Sequence, residues 1–283
     1  FTYDFEGFHY PLLNYAFKAL RAGRFPEWDP TNYGGLPFCA NIQAGLFYPP
    51  NWALFFINRH RGGMSFHTIQ ILAVFHYWMG AMFAWHWLRR LSLAPVAAAL
   101  GALTFALGGF PLADAQHLGV VCGYMWIPLA LAGVDDVRGG ATWKFWKIAV
   151  AGAMCVLAGY PVMWFALSLA VMAYALPAWR TGAVAFAALL VSLALAAVQL
   201  LPTQEAAAFR EAEFVYGNPV DPRVLWQFIR PEYYKSIAAP WFTFLYLGAG
   251  FMAGAVWLAI ERKWPWRPVA MICAALFFVF DPY

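Results

Sequence analysis

"GAVAFAALLVSLALAAVQLL", residues 182–201, is a run of the chain without a single charged side chain. A helix rises 1.5 Å per residue, so a run of this length reaches about 30 Å, the thickness of the hydrocarbon core of a bilayer. Similar runs recur along the chain, in which 63% of the residues are hydrophobic, 11% are charged and the mean hydropathy is +0.58. The pattern predicts an all-α, polytopic membrane protein and excludes an ordinary soluble domain.

Eight apolar stretches predict membrane spans: residues 66–88, 93–112, 118–134, 145–158, 162–178, 182–201, 242–260 and 267–280. The fourth and fifth are short and are separated only by "GYP", so they fit either two spans or two half-length spans that meet at a membrane surface. Residues 1–65 and 202–241 are too polar to cross and form two long loops. Since the chain does not begin with Met and ends just after an apolar stretch, we expect a fragment that lacks a C-terminal part. We also expect an upstream transmembrane helix, because no span precedes the loop at 1–65, which the distribution of basic residues places outside.

The basic residues are distributed unevenly between the loops. Nine of them fall in alternate loops, whereas the short links at 113–117 and 159–161 contain no Lys or Arg: Arg89, Arg90, Arg138, Lys144, Lys147, Arg180, Arg262, Lys263 and Arg267. Cytoplasmic loops carry the excess of Lys and Arg, so residues 1–65 are predicted to lie outside. Most of the 14 acidic residues then lie on the outer face, where any carboxylate chemistry would take place.

Within the first loop, an amphipathic helix is predicted to open at Pro11 and to end before Gly23. Its apolar face comprises Leu12, Leu13, Ala16, Phe17 and Leu20, and its polar face Asn14, Lys18 and Arg21. This pattern predicts an interfacial helix that lies on the membrane. The following "FPEWDPTNYGGLPFCANIQAGLFYPPN", residues 25–51, is rich in prolines, glycines and aromatics, which is typical of a compact, rigid loop.

Two groups of polar residues are candidates for chemistry. In "YDFEGFHY", residues 3–10, an extended chain would point Asp4 and Glu6 in the same direction, and Gly7 disfavours a long helix. The alternative is two solvated acids on a surface loop. In "PLADAQHLG", residues 111–119, Asp114 and His117 lie at the outer end of a predicted span. The alternative for that pair is an ordinary polar turn.

Other polar residues leave two interpretations open. Arg210 and Arg230 on the outer side fit either phosphate clamps or contacts with lipid headgroups. His76, near the middle of the first span, is either a functional group or a neutral histidine bonded to a neighbouring helix. The four cysteines have no metal-binding spacing. No soluble-enzyme motif is present, and the scattered basic residues give no support for nucleic-acid binding.

A longer motif, "ALRAGRFPEWDPTNYGGLPFCANIQAGLFYPPNWALF", residues 19–55, resembles the first extracellular loop of the YfhO-like bacterial membrane proteins, which belong to the wider GT-C type of glycosyltransferases. The similarity continues in order through "GGFPLADAQHLGVVCGYMWIPLALAG", "VLAGYPVMWFALSLAVMAYAL", "AVQLLPTQEAAAFR" and "LGAGFMAGAVWLAIERK". Tyr160 stands where a histidine is expected, which weakens a catalytic role for that position.

The resemblance implies a GT-C-like helix bundle in the bacterial cytoplasmic membrane. Such an enzyme moves a sugar from a polyprenyl-phosphate carrier to a cell-envelope polymer, lipid or protein on the outer face. Asp4 would be the general base or the acid that orients the acceptor, Glu6 a supporting carboxylate or metal ligand, and Asp114 and His117 would complete the pocket. The implied substrate-binding residues are Trp28, Asn32, Gln43, Tyr48, Glu205, Arg210 and Arg230. Either these arginines or a divalent cation, magnesium or manganese held by Asp4 and Glu6, would stabilise the leaving phosphate.

Two other classes of function stay open at this point. A transporter or flippase of lipid-linked sugars would use broken helices and polar groups near the membrane midplane, as "GYP" and His76 suggest. A non-catalytic subunit for envelope assembly would keep the fold without activity. The gathering of polar residues on one face favours chemistry at the membrane surface.

Overall fold

The computed structural model describes residues 4–32, 34–176 and 178–208, and this part of the chain is predominantly helical. The all-α prediction is therefore confirmed. The predictions for Arg210, Arg230, the greater part of the 202–241 loop and the spans at 242–260 and 267–280 lie outside the described residues.

The first loop contains two helices and a compact connection. A π-helical turn at Phe5–His9 leads into α1 (Tyr10–Arg21), and α2 (Pro49–Ile57) closes the loop. Between these helices, β1 (Trp28–Asp29) pairs antiparallel with β2 (Leu36–Pro37), and 3₁₀ turns follow at Phe38–Ala40 and Ile42–Ala44.

The remaining helices form the bundle. They are α3 (Phe66–Arg90), α4 (Pro95–Ala106), α5 (Gly109–Ala113), α6 (Leu118–Tyr124), α7 (Ile127–Arg138), α8 (Trp146–Leu157), α9 (Val162–Ala175), α10 (Trp179–Leu195) and α11 (Ala197–Ala207), with a 3₁₀ turn at Thr142–Phe145 before α8. Their positions follow the first six predicted apolar stretches.

Two helical stretches within the described residues are long and apolar enough to cross a membrane. The first is Pro95–Ala113, which consists of α4 and α5. The second is Leu118–Arg138, which consists of α6 and α7. The pair α10 and α11 meets the same criterion together but is bent by 67°. The helix α9 is apolar but spans only 14 residues. Length and composition thus support membrane association of this helical chain.

The helix α1 forms within two residues of its predicted limits, with Pro11 in its first turn and Gly23 just beyond its end. Its apolar side chains Leu12, Leu13 and Phe17 are buried in a cluster with residues of the rest of the loop and of α6. The expectation that this face lies in the membrane interface is wrong, because these side chains are already covered by protein. The helix therefore fixes the first loop to the bundle.

The connection between α1 and α2 is held by the buried carboxylate of Asp29. Its oxygens accept hydrogen bonds from the backbone and hydroxyl of Thr31, at 2.8 and 2.6 Å, and from the amide of Asn32, at 2.6 Å. Although burial raises the pKa of Asp29, these hydrogen bonds outweigh it and keep the pKa below its usual range. Gly35 adopts φ +122°, and a Cβ there would lie 2.4 Å from the Trp28 ring. These contacts give the loop a defined shape.

At the opposite end of the bundle, Asp136 at the end of α7 collects three basic side chains. Arg90 pairs with its Oδ1, Lys147 donates to its Oδ2 at 2.7 Å and Lys144 lies at 3.3 Å. The adjacent Asp135 accepts from Arg138 at 2.6 Å. Four of the basic residues that the sequence assigns to inner loops therefore lie together at one end of the helices: Arg90, Arg138, Lys144 and Lys147.

Candidate functional site

The candidate site is centred on His117, which lies between two carboxylates immediately before α6. Its Nδ1 atom donates to Oδ1 of Asp114 at 3.1 Å, and its Nε2 atom lies 3.1 Å from Oδ2 of Asp4. Both carboxylates only accept hydrogen bonds, so the imidazole can donate towards both when it carries two protons. The Asp4 side chain is 57% exposed and the Asp114 side chain 1% exposed. His117 therefore connects a carboxylate that faces solvent, Asp4, with one that is buried, Asp114.

A cavity of about 160 Å³ opens beside this group. Its lining combines the outer carboxylate, two histidines, an amide, a tyrosine and an aromatic wall, and the residues are Asp4, Phe8, His9, Gln43, His117, Gly119, Val120, Gly159 and Tyr160. Gln43, predicted to bind substrate, lies on this wall. Tyr160 also lines the cavity, at the position where the resemblance predicts a histidine and where its absence weakened the case for a catalytic role.

Backbones approach closely at the floor of the cavity, and two glycines make this approach feasible. A Cβ on Gly119 would lie 2.8 Å from the carbonyl oxygen of Ala158, and a Cβ on Gly159 would lie 2.9 Å from the carbonyl oxygen of Ile42. Gly159 also adopts φ +103°, which other residues rarely tolerate. The first loop, α6 and the end of α8 therefore meet at this point.

The structure corrects the expected conformation of the opening acids. Asp4 has helical dihedral angles, φ −62° and ψ −30°, and directly precedes the π-helical turn at Phe5–His9, so the extended interpretation is wrong. In a helical segment, residues two apart point to nearly opposite sides. Glu6 is exposed and does not belong to the cavity lining, whereas Asp4 faces His117. The local π-turn hydrogen bonds outweigh the disfavouring effect of Gly7.

His9 is a residue that the sequence analysis missed. It ends the π-helical turn, is 8% exposed, and lines both the main cavity and a smaller one of about 10 Å³ beneath it. Burial, followed by repulsion from His117, lowers the pKa of His9 to about 4, although Asp4 acts in the opposite direction. The signal available was the i, i+5 spacing of Asp4 and His9, which a π-helical turn places one turn apart.

Tyr48 lies deeper than its predicted substrate-binding role requires. It is 1% exposed, its hydroxyl donates to Nε2 of His76 at 2.6 Å, and it accepts from the Trp126 indole at 2.9 Å. Nδ1 of His76 in turn donates to the Leu72 carbonyl at 2.7 Å. His76 is thus a satisfied, buried histidine, but its partners lie in the first loop and in its own helix, and not in a neighbouring helix as one of the two interpretations expected. Tyr48 lines the smaller cavity and connects the first loop to α3 and to Trp126, which directly precedes α7.

Three further predicted binding residues lie outside the main cavity. Trp28 is 55% exposed, and its indole covers Gly35. Asn32 donates to Asp29 and thereby shapes the loop. Glu205 is exposed on α11, which is tied to the loop by a hydrogen bond from Thr203 to the Ala40 carbonyl at 2.9 Å. The described contacts give Asn32 a structural role in the loop.

The described residues do not fit the divalent cation that the resemblance implies. No group of three or more His, Cys, Asp or Glu side chains in the described ranges is arranged to hold a metal ion. Glu6, one of the two expected ligands, lies away from the cavity that Asp4 lines. Asp4 instead pairs with a histidine.

The sequence similarity to YfhO-like proteins stays a prediction that rests on the motifs themselves. No protein-family model, curated protein or solved structure matches this chain.

Proposed function

We propose that this chain is part of a GT-C-type membrane glycosyltransferase that transfers a sugar from a polyprenyl-phosphate carrier to an envelope acceptor. The observation that carries this proposal is the Asp4–His117–Asp114 arrangement at the edge of a polar cavity. An exposed carboxylate aligned by a histidine, itself held by a buried carboxylate, is a suitable arrangement for accepting a proton.

In the proposed reaction, an acceptor hydroxyl attacks the anomeric carbon of the carrier-bound sugar. The new bond joins the hydroxyl oxygen to that carbon, the bond between the carbon and the phosphate oxygen breaks, and polyprenyl phosphate leaves with the electron pair. Asp4 takes the hydroxyl proton. His117 orients the Asp4 carboxylate, and Asp114 holds the imidazole through its other nitrogen. We infer that Arg210 and Arg230 bind the leaving phosphate.

The proposed location is the outer face of a bacterial cytoplasmic membrane. Supporting it, His117 precedes α6 at one end of the apolar stretch Leu118–Arg138, whereas the basic cluster around Asp136 lies at the other end. Cationic side chains concentrate on the cytoplasmic side of membrane proteins, and this supports the proposal that the cavity faces the opposite side.

The test is a transfer assay with the full-length protein in proteoliposomes. Radiolabelled polyprenyl-phosphate hexoses serve as donors, and solvent-extracted envelope lipid and polysaccharide serve as acceptors. We expect radiolabel to appear in the acceptor fraction, and to require the protein. Absence of transfer with every hexose donor and both acceptor fractions would overturn the proposal.

Flipping of a lipid-linked sugar is a second candidate, favoured by the 67° bend between α10 and α11, since transporters use such broken helices. A flippase would move the labelled carrier between leaflets without forming a labelled acceptor. Protection of the carrier from an impermeant periodate reagent measures that movement in the same proteoliposomes.

A further inference from the structure

The imidazole of His9 is enclosed but makes no hydrogen bond with another described residue. It is 8% exposed, its ring packs at 5.3 Å against that of Phe8, and it lines the cavity that Asp4 and His117 also line. Because His9 lines the cavity and its ring has no hydrogen bond to a described residue, a ligand in the cavity can form hydrogen bonds with the ring nitrogens.

The donors, acceptors and aromatic ring that line the cavity indicate which chemical class of ligand it could bind. The lining offers a carboxylate that accepts, histidines and an amide that both donate and accept, and the aromatic ring of Phe8. Sugars combine hydroxyl groups with an apolar face of C–H groups, which matches this mixture. The volume of about 160 Å³ suits a single ring, because a cavity of about 150 Å³ binds benzene.

The charge state of His9 fits contact with a hydroxyl group. Its environment, buried and close to His117, disfavours a second proton on the ring, so near neutral pH it presents one N–H donor and one nitrogen acceptor. A hydroxyl group can satisfy either atom. A phosphate is a poor match for this site, since the neighbouring Asp4 carboxylate would repel it.

We propose that His9 holds a hydroxyl group of a saccharide acceptor in this cavity, beside the carboxylate of Asp4. The inference deepens the proposed glycosyl transfer and rests on it: it names the acceptor as a sugar and assigns His9 to its binding. The hydroxyl bound to His9 is distinct from the one that attacks, and holding it places the attacking hydroxyl next to Asp4.

The kinetic test compares His9→Ala with the conservative His9→Gln in the proteoliposome assay, with envelope polysaccharide as the acceptor. Loss of one neutral hydrogen bond costs about tenfold, so His9→Ala should raise the apparent KM for polysaccharide by about that factor and leave the donor KM unchanged. His9→Gln should recover most of the affinity because an amide donates and accepts. An increase in donor KM alone, or equal defects in both variants, would overturn the proposal.

A second measurement separates this proposal from the transfer reaction. The full-length protein is labelled with ¹⁵N-histidine in detergent, and the His9 ring signals, among six histidines, are assigned through His9→Gln. Titration with a panel of methyl hexopyranosides should shift the His9 signals, while His67, exposed on the outer end of α3, stays unchanged. If transfer is absent but these shifts appear, only the glycosyltransferase proposal fails. If transfer occurs and His9 does not respond to any of the sugars, the His9 proposal fails.

Discussion

The Nε2 atom of His117 lies 3.1 Å from the Oδ2 atom of Asp4, although most of the first loop and the three helices α3, α4 and α5 separate the two residues in the chain. This contact places the acid of the opening segment at the mouth of a cavity whose back wall belongs to the bundle. It also ties the chemistry of the first loop to the polar turn before α6.

Removal of the Asp4 charge tests the proposed base directly. Asp4→Asn keeps the size and most of the hydrogen bonding of the side chain but removes its negative charge and basicity, so transfer should fall by about 10²-fold or more, in line with general-base contributions. Donor binding should change little. Glu6→Gln is the matched comparison, since this exposed acid lies outside the cavity lining and should cost much less. If the Asp4→Asn protein transferred sugar at the wild-type rate, Asp4 would not be the base, and Asp4 and Glu6 would only be surface charges.

The buried member of the arrangement is expected to act through His117. Asp114→Asn replaces an acceptor with an amide that can present a donor to Nδ1, which disturbs the orientation and protonation of the ring. We expect the maximal rate of transfer to fall by at least about tenfold while the donor KM is retained. The pH–rate profile should shift as well. An unaltered rate and pH profile would show that Asp114 only closes a turn.

The shape of the first loop depends on Gly35. Gly35→Val would place a Cβ 2.4 Å from the Trp28 ring at a φ of +122°, and we expect it to lower the free energy of unfolding by about 3 kcal/mol, with reduced transfer. Gly34→Ala provides the control, because φ is +80° there but no atom lies within 4 Å of the added Cβ, so only about 1 kcal/mol is expected. Thermal unfolding in detergent measures both. If the Gly35→Val protein were as stable and active as the wild type, the hypothesis that Gly35 fixes the shape of the first loop would be wrong.

Acid should destabilise the wild-type protein through His9. Its pKa is about 4 in the folded state and 6.5 ordinarily, so the unfolded chain binds more protons between these values and stability falls as the pH drops through that window. From pH 7.5 to pH 5, His9 should contribute a loss of about 2 kcal/mol. His9→Gln lacks this contribution but keeps Asp4 and His117, so the difference between the two unfolding curves isolates it. Identical pH dependence in both proteins would contradict the assignment.

The orientation of the chain is open to labelling in whole cells. With Cys39 replaced by Ser, Leu36→Cys in the first loop should react with an impermeant maleimide added outside, and Gly139→Cys after α7 should not. The expectation follows from the basic cluster around Asp136. The reverse pattern would move the cavity to the cytoplasmic side and exclude an envelope acceptor.

Several features of the site were accessible from local sequence. Asp114 and His117 are three residues apart in a polar turn between apolar stretches, and that spacing brings them into contact. Gly34 and Gly35 in a loop rich in prolines predicted a fixed turn, and both adopt positive φ. These features depend on neighbouring residues, so short-range rules describe them well.

Other features were missed or wrongly explained because they depend on packing. Asp4 was chosen on the assumption of an extended chain, but a π-helical turn presents it to His117 and turns Glu6 away. His9 has no motif of its own, and its importance arises when α1 docks its apolar face on the protein and encloses the histidine. Tyr48 was expected to meet substrate, yet its hydroxyl is engaged with His76 and Trp126.

The sequence by itself determined that this chain is helical, that apolar stretches suited to a membrane alternate with polar loops, and where the polar turn before α6 lies. These features depend on helical periodicity, residue transfer free energies and turn preferences. All three are properties of short segments, so they can be evaluated without knowledge of the fold. The tertiary structure decided which acid faces His117, which face of α1 is covered and which polar groups share a cavity. Those outcomes are fixed by contacts between segments far apart in the chain, whose free energies arise only when the segments pack together.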